Sequence, residues 1–367
     1  MRKILITGGA GFIGSNFVRH WADHYPDDLI IVLDKLSYAG NLANLNDVMP
    51  SPRFHFIQGD IVDKALIDDI LTRFQIDTIV NFAAESHVDR SIQNSDLFML
   101  TNIMGTHNLL TVAKSHWQGR SHRFHQVSTD EVFGALDLNE PPFCEDNRYL
   151  PNSPYAASKA AADHVVRAFQ QTYGMNTTIS HCSNNYGPYH YPEKLIPLSL
   201  INILHGRWIP IYGDGLQIRD WLHVFDHCRA IEAILNYGKP SETYNIGGGG
   251  EITNLALLHS LCDWVDELFI KIPEYKVKYP HAPPAQNRSA RMLLKHVTDR
   301  LGHDRRYAIN STKIQQELNF KYSISIQKGL RQTVEWYLEN PQWWAKFAPA
   351  LESVPAFEKQ SVLLEQN

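Results

Sequence analysis

A tyrosine and a lysine four residues apart are the first residues in this sequence whose spacing suggests chemistry. Tyr155 and Lys159 (YAASK) come just after Pro154, a residue typical of the first turn of a helix. The i and i+4 spacing predicts that both side chains lie on one helix face. A free tyrosine has a pKa of about 10, and a nearby ammonium group favours its phenolate form. Tyr155 is therefore predicted to take a proton from a hydroxyl group.

Three polar residues follow an apolar run that ends at Ser128. Thr129 is predicted to donate a hydrogen bond to the oxygen that Tyr155 deprotonates. Asp130 and Glu131 are adjacent carboxylates, which repel each other in a partly buried cleft, so that one acts as an acid and the other as a base. Hydride transfer alone needs neither group, whereas elimination of water needs both. The alternative interpretation is a pair of solvated acids in a turn.

A glycine loop follows the first apolar run. Gly8 suits a tight turn, Gly11 the close approach of a pyrophosphate, and Gly14 close packing of a helix. The free N–H groups at the start of that helix face the phosphates. Asp34 lies twenty residues after Gly14, where a carboxylate accepts hydrogen bonds from an adenosine ribose and repels a 2′-phosphate. The loop and Asp34 therefore predict NAD rather than NADP. The positive charge of the oxidised nicotinamide of NAD also favours the Tyr155 phenolate.

The elements that must position these residues alternate between short apolar runs and amphipathic segments of helical length. This alternation predicts an α/β protein with a doubly wound parallel (Rossmann) sheet. The predicted strands are Lys3 to Thr7, Leu29 to Leu33, Phe54 to Ile57, Thr78 to Phe82, Phe124 to Ser128 and Thr177 to Cys182. The alternation ends at about residue 184, where segments rich in Pro and Gly predict loops over a binding site.

The domain prediction divides the chain into two lobes and a tail. Residues 1–183 are predicted to form the NAD-binding domain, to which residues 216–250 return. Residues 184–215 and 251–340 are predicted to form a smaller substrate-binding lobe, and residues 341–367 a C-terminal tail. The proline-rich stretch 271–290 is predicted to be an exposed insertion. Trp343 and Trp344 are predicted to pack either against another subunit or back on their own domain.

Composition excludes several classes of protein. With 44% hydrophobic residues in 367, the chain can bury a substantial core. A formal charge of −5 and the lack of a long basic run argue against nucleic acid as a partner. No apolar stretch approaches the roughly 20 residues of a membrane span, and the start leaves no room for a signal peptide. Four scattered cysteines predict no disulfide framework and no zinc site, which indicates a cytoplasmic protein.

Taken together, the motifs TGGAGFIG, STDEVFG and YAASK resemble those of the extended short-chain dehydrogenase/reductases, in the branch that dehydrates nucleotide sugars. The similarity runs from about residue 2 to residue 340. It implies a homodimer with resident NAD, acting on dTDP-glucose. In the implied cycle, Tyr155 deprotonates the 4-hydroxyl while the C4 hydride passes to NAD. Glu131 then abstracts the C5 proton, Asp130 protonates the departing 6-hydroxyl, and the hydride returns to C6.

The same resemblance implies two sets of binding residues. No metal is expected, because no cluster of acidic residues and histidines in the sequence has the spacing of metal ligands. The cofactor set is Gly8, Gly11, Phe12, Ile13, Gly14, Asp34, Lys35, Ser37, Gly40, Asp60, Ile61, Ala83, Ala84, Ser86, Thr101, Tyr155, Lys159 and Asn185. The substrate set is Ser86, Thr129, Asn184, Glu193, Lys194, Leu195, Pro210, Tyr212, Arg219, Asn254, Arg300, His303 and Tyr307. Asp60 is equally a candidate for a helix N-cap, and Arg305 and Arg306 for surface charges. His87 and His190 are expected to orient loops.

Four positions depart from the usual motifs of this branch: Ser37 replaces threonine, Phe133 tyrosine, Leu301 proline and Asn310 aspartate. None removes a catalytic group, but Leu301 and the proline-rich stretch leave the nucleotide base open. The alternatives are therefore a 4,6-dehydratase for a UDP-, CDP- or GDP-linked sugar, then a nucleotide-sugar 4-epimerase, which needs no carboxylate pair. A catalytically inactive NAD-binding scaffold is the alternative outside enzyme function.

Overall fold

A parallel sheet organises the first half of the chain, and the computed structural model describes residues 1–299 and 303–347. The strands are β1 (Lys3–Thr7), β2 (Leu29–Asp34), β3 (Phe54–Gln58), β4 (Thr78–Asn81), β5 (Arg123–Thr129), β6 (Thr177–Cys182), β7 (Asn184–Tyr186), β8 (Ile209–Tyr212), β9 (Ile218–His223), β10 (Thr243–Ile246), β11 (Glu251–Thr253), β12 (Leu294–Val297) and β13 (Arg306–Tyr307). Seven of them form one sheet in the order β10-β6-β5-β4-β1-β2-β3. All of its pairings are parallel.

Helices cover both faces of this sheet. They are α1 (Phe12–His24), α2 (Lys64–Phe74), α3 (Val88–Gln93), α4 (Ser95–Phe98), a π-helix (Met99–Gly105), α5 (Thr106–His116), α6 (Pro154–Tyr173), α7 (Leu195–Leu204), α8 (Val224–Tyr237), α9 (Asn254–Lys271), α10 (Glu274–Lys278), α11 (Thr312–Glu317), α12 (Ile326–Glu339) and α13 (Pro341–Trp344). Within the described ranges, no helix has the length and apolar character needed to span a membrane.

The two faces of the sheet bury separate apolar clusters because successive strand residues point to opposite sides. Ile4 and Ile6 of β1 pack with α1 and α8 on one side. Leu5 of the same strand packs with α2, α5 and α6 on the other side. Strands buried on both faces explain the continuous apolar runs of the sequence. The predicted doubly wound α/β class is confirmed.

The strand order reverses between β1 and β4. The chain proceeds outward through β2 and β3 on one side, and through β5, β6 and β10 on the other. In open α/β sheets, ligands bind beyond the carboxyl ends of the strands at such a reversal. Thr7 ends β1 and Thr129 ends β5, so the glycine loop and the STDE segment lie at this edge.

A second lobe is built from the later part of the chain. β9 pairs antiparallel with β11 and parallel with β7 and β13, while β8 pairs with β12. A third apolar cluster packs α7, α9 and α12 around these strands. The first sheet nevertheless recruits β10, which follows β7, β8 and β9 in the chain. The chain therefore crosses between the two sheets more than once, and the predicted domain boundaries remain a prediction.

Two sequence-based expectations need correction or resolution. The stretch 271–290, predicted to be an exposed insertion, is exposed only in part, because Tyr275, Tyr279 and Ala282 are buried in the apolar cluster of the second lobe. Pro273 is the N-cap of α10, and Pro283 and Pro284 begin a 3₁₀ turn. Trp343 and Trp344 pack back on their own chain, with 8% and 3% of their surfaces exposed. The rest of the predicted tail, residues 348–367, lies outside the described residues.

The glycine loop shows why two of its positions exclude a side chain. Gly8 has φ +68°, the left-handed region, and a Cβ there would lie 2.7 Å from the backbone nitrogen of Ala83. A Cβ on Gly14 would lie 2.3 Å from the carbonyl oxygen of Gly8. Because neither backbone contact can yield without moving a strand end, these glycines allow α1 to begin directly against β1.

We predict that Gly14→Ala destabilises the fold by about 1–3 kcal/mol, the usual result of overpacking. Urea denaturation followed by circular dichroism measures the free energy of unfolding. Gly250→Ala is the control, because the nearest atom to its added Cβ would be 3.8 Å away, and its effect should stay within about 0.5 kcal/mol. Equal midpoints for the two variants would contradict the proposed close packing at Gly14.

Candidate active site

Thr129 and Tyr155 meet at the carboxyl edge of the sheet. Thr129 ends β5 and caps a short 3₁₀ turn, Asp130–Phe133, with its Oγ1 accepting a hydrogen bond from the Glu131 amide at 3.3 Å. Tyr155 lies in the first turn of α6, whose N-cap is Ser153. Burial and the Glu131 charge raise the pKa of Tyr155 well above 10, and a hydrogen bond with Thr129 opposes that rise. The structure therefore joins the two residues as predicted from their types.

Lys159 is a buried cation on the same helix. Only 4% of its surface is exposed, and its Nζ donates a hydrogen bond to the Val127 carbonyl at 2.7 Å. Burial lowers the pKa of Lys159, and the charge of Asp163 one turn further along α6 opposes that shift. The ammonium group is thus held by the backbone of β5 and balanced by Asp163.

Asp163 belongs to a buried polar network that sequence reasoning missed. Its Oδ2 accepts hydrogen bonds from Ser128 Oγ at 2.6 Å and pairs with His181 Nε2 at 3.3 Å. The hydroxyl of Tyr149 contacts the same His181 nitrogen at 2.8 Å. The spacing of Tyr155, Lys159 and Asp163, each four residues from the next, was the available signal. Ser128 and His181 face each other across β5 and β6.

Asp130 is the most strongly perturbed carboxyl group of the site. It is 4% exposed, and its Oδ2 has no hydrogen-bond partner among the described residues. Burial and the charges of Glu131 and Asp220 raise the pKa of Asp130 well above its ordinary value, whereas Arg219 lowers it. The raised pKa favours the neutral form of Asp130, the form that donates a proton.

Glu131 follows Asp130 in the short 3₁₀ turn, and its charge acts on several neighbouring groups. Its charge raises the pKa of Tyr155, Asp130 and Tyr307 alike, so all three lie within its electrostatic reach. Tyr307 lies under the guanidinium of Arg219, 4.4 Å from the ring centroid, and donates a hydrogen bond to Asp304. The carboxylate pair predicted from STDE thus faces both the phenol of Tyr155 and residues of the second lobe.

The residues predicted for the adenosine half of a cofactor gather around the glycine loop. Asp34 Oδ2 accepts from the Ala10 amide at 2.9 Å, and Oδ1 accepts from Leu36 at 2.8 Å. Lys35 forms an ion pair with Asp60 at 2.7 Å. Asp60 accepts from Val62, while Asp63 is the N-cap of α2. Asp60 is therefore not the cap of that helix.

The remaining predicted cofactor residues lie along the same edge. Phe12 and Ile13 begin α1, Ala83 and Ala84 follow β4, and Ile61 packs against Gly105. Ser37 and Gly40 lie in the loop after β2, where Gly40 borders the Asp34 carboxylate. Asn185 lies on β7 and accepts a hydrogen bond from His227 Nδ1 at 2.8 Å.

Two features of this edge fit a dinucleotide. Gly11 is the N-cap of α1, and no side chain of the described residues caps the amides of its first turn. Such free amides suit a phosphate group. Thr101 Oγ1, in the π-helix, is buried without a hydrogen-bond partner among the described residues. π-Helical turns often occur at functional sites, so this segment is chemically suited to a polar ligand.

Several of the predicted substrate residues lie on or next to α3 and α7. Glu193 accepts from the Tyr38 hydroxyl at 3.0 Å and lies 3.7 Å from both His87 and Arg90. Lys194 donates to the Ser86 carbonyl at 3.4 Å, and Leu195 begins α7. His87 also caps α3. Glu193 therefore connects the segment before α7 with Tyr38 in the loop after β2 and with His87 and Arg90 at α3.

The other wall carries the residues predicted to hold the nucleotide. Pro210 and Tyr212 lie on β8, and the Tyr212 and His303 rings meet edge to face at 6.4 Å. His303 contacts Asp299 at 2.7 Å. Asn184 lies on β7, and Asn254 begins α9 with a buried Oδ1 that lacks a described partner. Arg300 and Leu301 lie outside the described residues.

The polar residues outside the predicted cofactor and substrate sets differ in their burial and in their partners. Arg305 pairs with Asp214 at the surface, whereas Arg306 is 6% exposed and pairs with Glu251. Glu85 lies beside the predicted cofactor residues, and burial raises its pKa. His190 stacks on Phe12 at 4.3 Å. Among the described residues, no three His, Cys, Asp or Glu side chains are arranged to hold a metal ion.

Comparisons with known proteins agree with this geometry. A family profile described as GDP-mannose 4,6 dehydratase matches residues 5–333. The dTDP-glucose 4,6-dehydratase of Salmonella typhimurium is 48% identical over 355 residues, which cover 93% of this chain and 94% of that protein. The enzyme of the same name from Neisseria meningitidis is 47% identical over 350 residues, covering 94% and 95%.

Solved structures show the same fold. The dTDP-glucose 4,6-dehydratase of Streptomyces venezuelae, solved with NAD and a dTDP ligand, has a TM-score of 0.83 and 46% identity and covers 94% of this chain and 99% of that one. The UDP-glucose 4-epimerase of Thermotoga maritima has a TM-score of 0.79 and 26% identity, with 92% and 99% covered.

Proteins with this doubly wound sheet and a Thr, Tyr and Lys arrangement at its carboxyl edge are extended short-chain dehydrogenase/reductases, and this chain is one of them. The near-full-length identity of almost one residue in two is more specific. The chain belongs to the dTDP-glucose 4,6-dehydratase family.

We predict that Asp130→Asn stabilises the fold at neutral pH. Because the folded-state pKa of Asp130 is raised, the wild type loses stability as the pH rises from the ordinary value of about 4 toward the folded-state value. Asparagine does not titrate. The variant should therefore be more stable than the wild type at pH 8, and the gain should vanish near pH 4.

Thermal melts between pH 4 and pH 8 measure this difference. Asp214→Asn is the control, because pairing with Arg305 lowers the pKa of Asp214 at the surface, so that its stability effect has the opposite sign. A stability gain for Asp130→Asn that does not change with pH would contradict the assignment of a neutral Asp130.

Proposed function

We propose that this protein is a dTDP-glucose 4,6-dehydratase that converts dTDP-glucose into dTDP-4-keto-6-deoxyglucose and water. The observation that carries the proposal is the pair of carboxyl groups, Asp130 and Glu131, beside the Thr129 and Tyr155 contact. Asp130 is buried with a raised pKa that favours its neutral form, while the charge of the adjacent Glu131 acts on both Asp130 and Tyr155. The family membership and the dTDP ligand of the Streptomyces venezuelae enzyme support the substrate.

We propose NAD as the resident cofactor. The relatives solved with NAD support it, as do the uncapped amides at the start of α1 and the Asp34 carboxylate. When bound, its nicotinamide accepts a hydride from C4 of the sugar and returns it to C6, so that the cofactor ends as it began. The glycine loop and Asp34, Lys35 and Asp60 would hold its pyrophosphate and adenosine half.

The first proton transfer belongs to Tyr155. In its phenolate form, Tyr155 would take the proton of the 4-hydroxyl, and a hydrogen bond from Thr129 favours that form. The phenol is costly to ionise while it is buried, so the burial must be offset by positive charge. Lys159 supplies one such charge four residues further along α6, and the charge of Asp163 opposes the lowering of the lysine pKa by burial. These residues thus favour the phenolate of Tyr155, the form that can accept a proton.

The elimination step requires an acid and a base on neighbouring carbons. A carbonyl at C4 acidifies the C5 proton, and we assign its removal to Glu131. The neutral Asp130 then protonates the departing 6-hydroxyl, so that the C6–O bond breaks and water leaves. Its unpartnered Oδ2 provides a site for that hydroxyl. Once the hydride is returned to C6, the protonated Glu131 would give a proton back to C5, which restores the carboxylate.

The second lobe is proposed to select the nucleotide. Arg219 is suited to a diphosphate, Tyr212 can stack on a base, and Asn254 has an open acceptor in the same wall. A 4-epimerase shares Thr129, Tyr155 and Lys159 but needs no acid and base pair for elimination. The buried carboxyl group of Asp130 therefore favours the dehydratase over the epimerase.

The test is to incubate the purified protein, without added NAD, with dTDP-glucose deuterated at C4. Loss of one water with the deuterium moved to C6 would establish the internal hydride cycle, the resident cofactor and the nucleotide together. If dTDP-glucose is unchanged, the same assay with UDP-, CDP- and GDP-linked glucose distinguishes another base specificity from an inactive scaffold. Inversion at C4 with no loss of water would instead show an epimerase.

We predict that Glu131→Gln allows oxidation at C4 but blocks elimination. The amide keeps the shape of the side chain and cannot accept the C5 proton, so product formation should fall by about 100-fold or more. Reduced cofactor should accumulate on the enzyme, where its absorbance measures it. Tyr155→Phe is the matched variant, since it should prevent the reduction itself. Normal product formation by Glu131→Gln would contradict the assignment of the base.

We further propose a cytoplasmic homodimer. The four cysteines are free, in keeping with a reducing compartment. Leu100 and Met104, four residues apart in the π-helix, are 48% and 47% exposed and form an apolar surface beside α5 and α6. An exposed apolar surface of this kind is typical of a protein contact.

The dimer prediction concerns this surface. The double variant Leu100→Glu and Met104→Glu should behave as a monomer in light scattering coupled to size exclusion, because charged groups in an apolar interface are desolvated without partners. Leu138→Glu is the control, since Leu138 is 56% exposed elsewhere. A monomeric wild type, or an unchanged dimer in the double variant, would contradict the assignment.

A further inference from the structure

At the C-terminal end of the described chain, two adjacent tryptophans donate hydrogen bonds to different parts of the protein. Trp343 Nε1 donates a hydrogen bond to Asn44 Oδ1 at 2.7 Å. Trp344 Nε1 donates to the Tyr337 carbonyl at 2.8 Å, within its own lobe. Both indoles are buried in the aromatic cluster of the second lobe. Only the Trp343 bond leaves that lobe, and it reaches a loop of the NAD-binding part.

Asn44 passes this contact to the glycine loop. Its side chain is 1% exposed, and its Nδ2 donates to the carbonyl oxygen of Ala10 at 2.9 Å. The amide of Asn41 donates to the same oxygen at 3.0 Å. A continuous hydrogen-bonded path therefore runs from Trp343 through Asn44 to Ala10. Both contacts are buried, and Asn44 Oδ1 also accepts a hydrogen bond from Asn41 Nδ2 at 3.3 Å, so that loss of the indole N–H would leave this oxygen with one longer hydrogen bond.

A second contact fastens the same loop from the same side. Lys346 Nζ donates to Asn41 Oδ1 at 2.9 Å, and the Phe347 ring meets the Tyr191 ring edge to face at 5.2 Å. Residues 341–347, here called the C-terminal strap, thus contact both Asn41 and Asn44. The strap spans the loop at the two points where that loop reaches Ala10.

The loop held in this way borders the predicted adenosine site. The Ala10 amide donates to Asp34 Oδ2. A Cβ on Gly40 would lie 2.9 Å from Asp34 Oδ1, so the loop packs directly on that carboxylate. Ser37 and Gly40, both predicted cofactor residues, lie between Asp34 and Asn41. Movement of this loop away from Asp34 would open the adenosine end of the cleft, and the strap opposes that movement.

We propose that Trp343 is a positioning residue that, through Asn44, slows release of the bound dinucleotide by holding the loop 35–45 over its adenosine half. This inference rests on the proposed NAD site. Because the reaction restores its cofactor within each turnover, release of NAD is not a step of the cycle. Slow release of NAD therefore does not lower the turnover rate. The strap therefore acts on residence of the cofactor and leaves the sugar side unchanged.

The experiment compares Trp343→Phe with Trp344→Phe. Each substitution keeps an aromatic ring and removes one indole N–H donor from adjacent buried positions. The protein is loaded with radiolabelled NAD and chased with an excess of unlabelled NAD, and the release rate is followed by filtration. Loss of one net hydrogen bond predicts release about fivefold faster for Trp343→Phe. Trp344→Phe should stay within about twofold of the wild type.

Two further measurements keep the outcome specific. Lys346→Met removes the surface contact with Asn41 and should also speed release, whether or not Trp343→Phe folds. The affinity for dTDP, measured on the NAD-loaded protein, should be unchanged in all three variants. Equal release rates for Trp343→Phe and Trp344→Phe, or an unchanged rate for Lys346→Met, would overturn the proposal.

The result also separates this inference from the proposed function. If the wild-type protein retains no NAD, both the proposed cofactor site and the proposed role of the strap are wrong. If the wild type retains NAD and dehydrates dTDP-glucose, but Trp343→Phe and Lys346→Met release NAD at the wild-type rate, only the proposed role of the strap is wrong.

Discussion

The parallel register between β5 and its neighbours is the constraint on which the site depends. Thr129 lies opposite Cys182 on β6, and Asn81 of β4 lies opposite Gln126 on β5. A shift by one residue would turn Thr129 and Ser128 to the opposite faces of the sheet. The contact with Tyr155 and the hydrogen bond from Ser128 to Asp163 would then both be lost. Backbone pairing far from any ligand therefore sets the geometry of the ionisable groups.

These groups are buried at a cost in stability. Burial raises the pKa of Asp130 and Tyr155 and lowers that of Lys159. Each shift opposes the charged form, and the interactions that favour charge are short and local, such as the Val127 carbonyl at Lys159. The site thus concentrates unfavourable desolvation in a few side chains whose protonation states are useful because of it. The surrounding apolar clusters on both sheet faces supply the stability that offsets it.

The local parts of this architecture are readable from the sequence. The strand predictions agree with the structure to within one or two residues, because apolar runs of strand length and the glycine turns between them are local patterns. The spacing of Tyr155 and Lys159 on a helix is equally local. The same spacing of four residues places Asp163 on the helix face of Tyr155 and Lys159. Its partners Ser128 and His181 lie on two different strands, so its role could be recognised only from the folded structure.

Contacts between residues far apart in the chain could not be predicted from the sequence. Trp343 and Asn44 are 299 residues apart, and nothing in the PQWW segment indicates which way each indole points. The proline-rich stretch 271–290 was misjudged for a related reason. Its irregular pattern resembles an exposed loop, whereas Tyr275 and Tyr279 are buried by helices elsewhere in the chain. Which residues belong to the nucleotide wall depends in the same way on how the second lobe folds over the sheet.

The position of β10 at the edge of the seven-stranded sheet has a consequence for how the protein is made. β10 pairs with β6, yet the chain between them contributes β7, β8 and β9 to the other sheets. On a ribosome, the sheet lacks this edge until Ile246 has emerged, and β6 meanwhile presents unpaired backbone groups. The nascent chain must therefore protect that edge for the time needed to synthesise the 60 residues from Ser183 to Glu242, which ties completion of the first lobe to synthesis of much of the second.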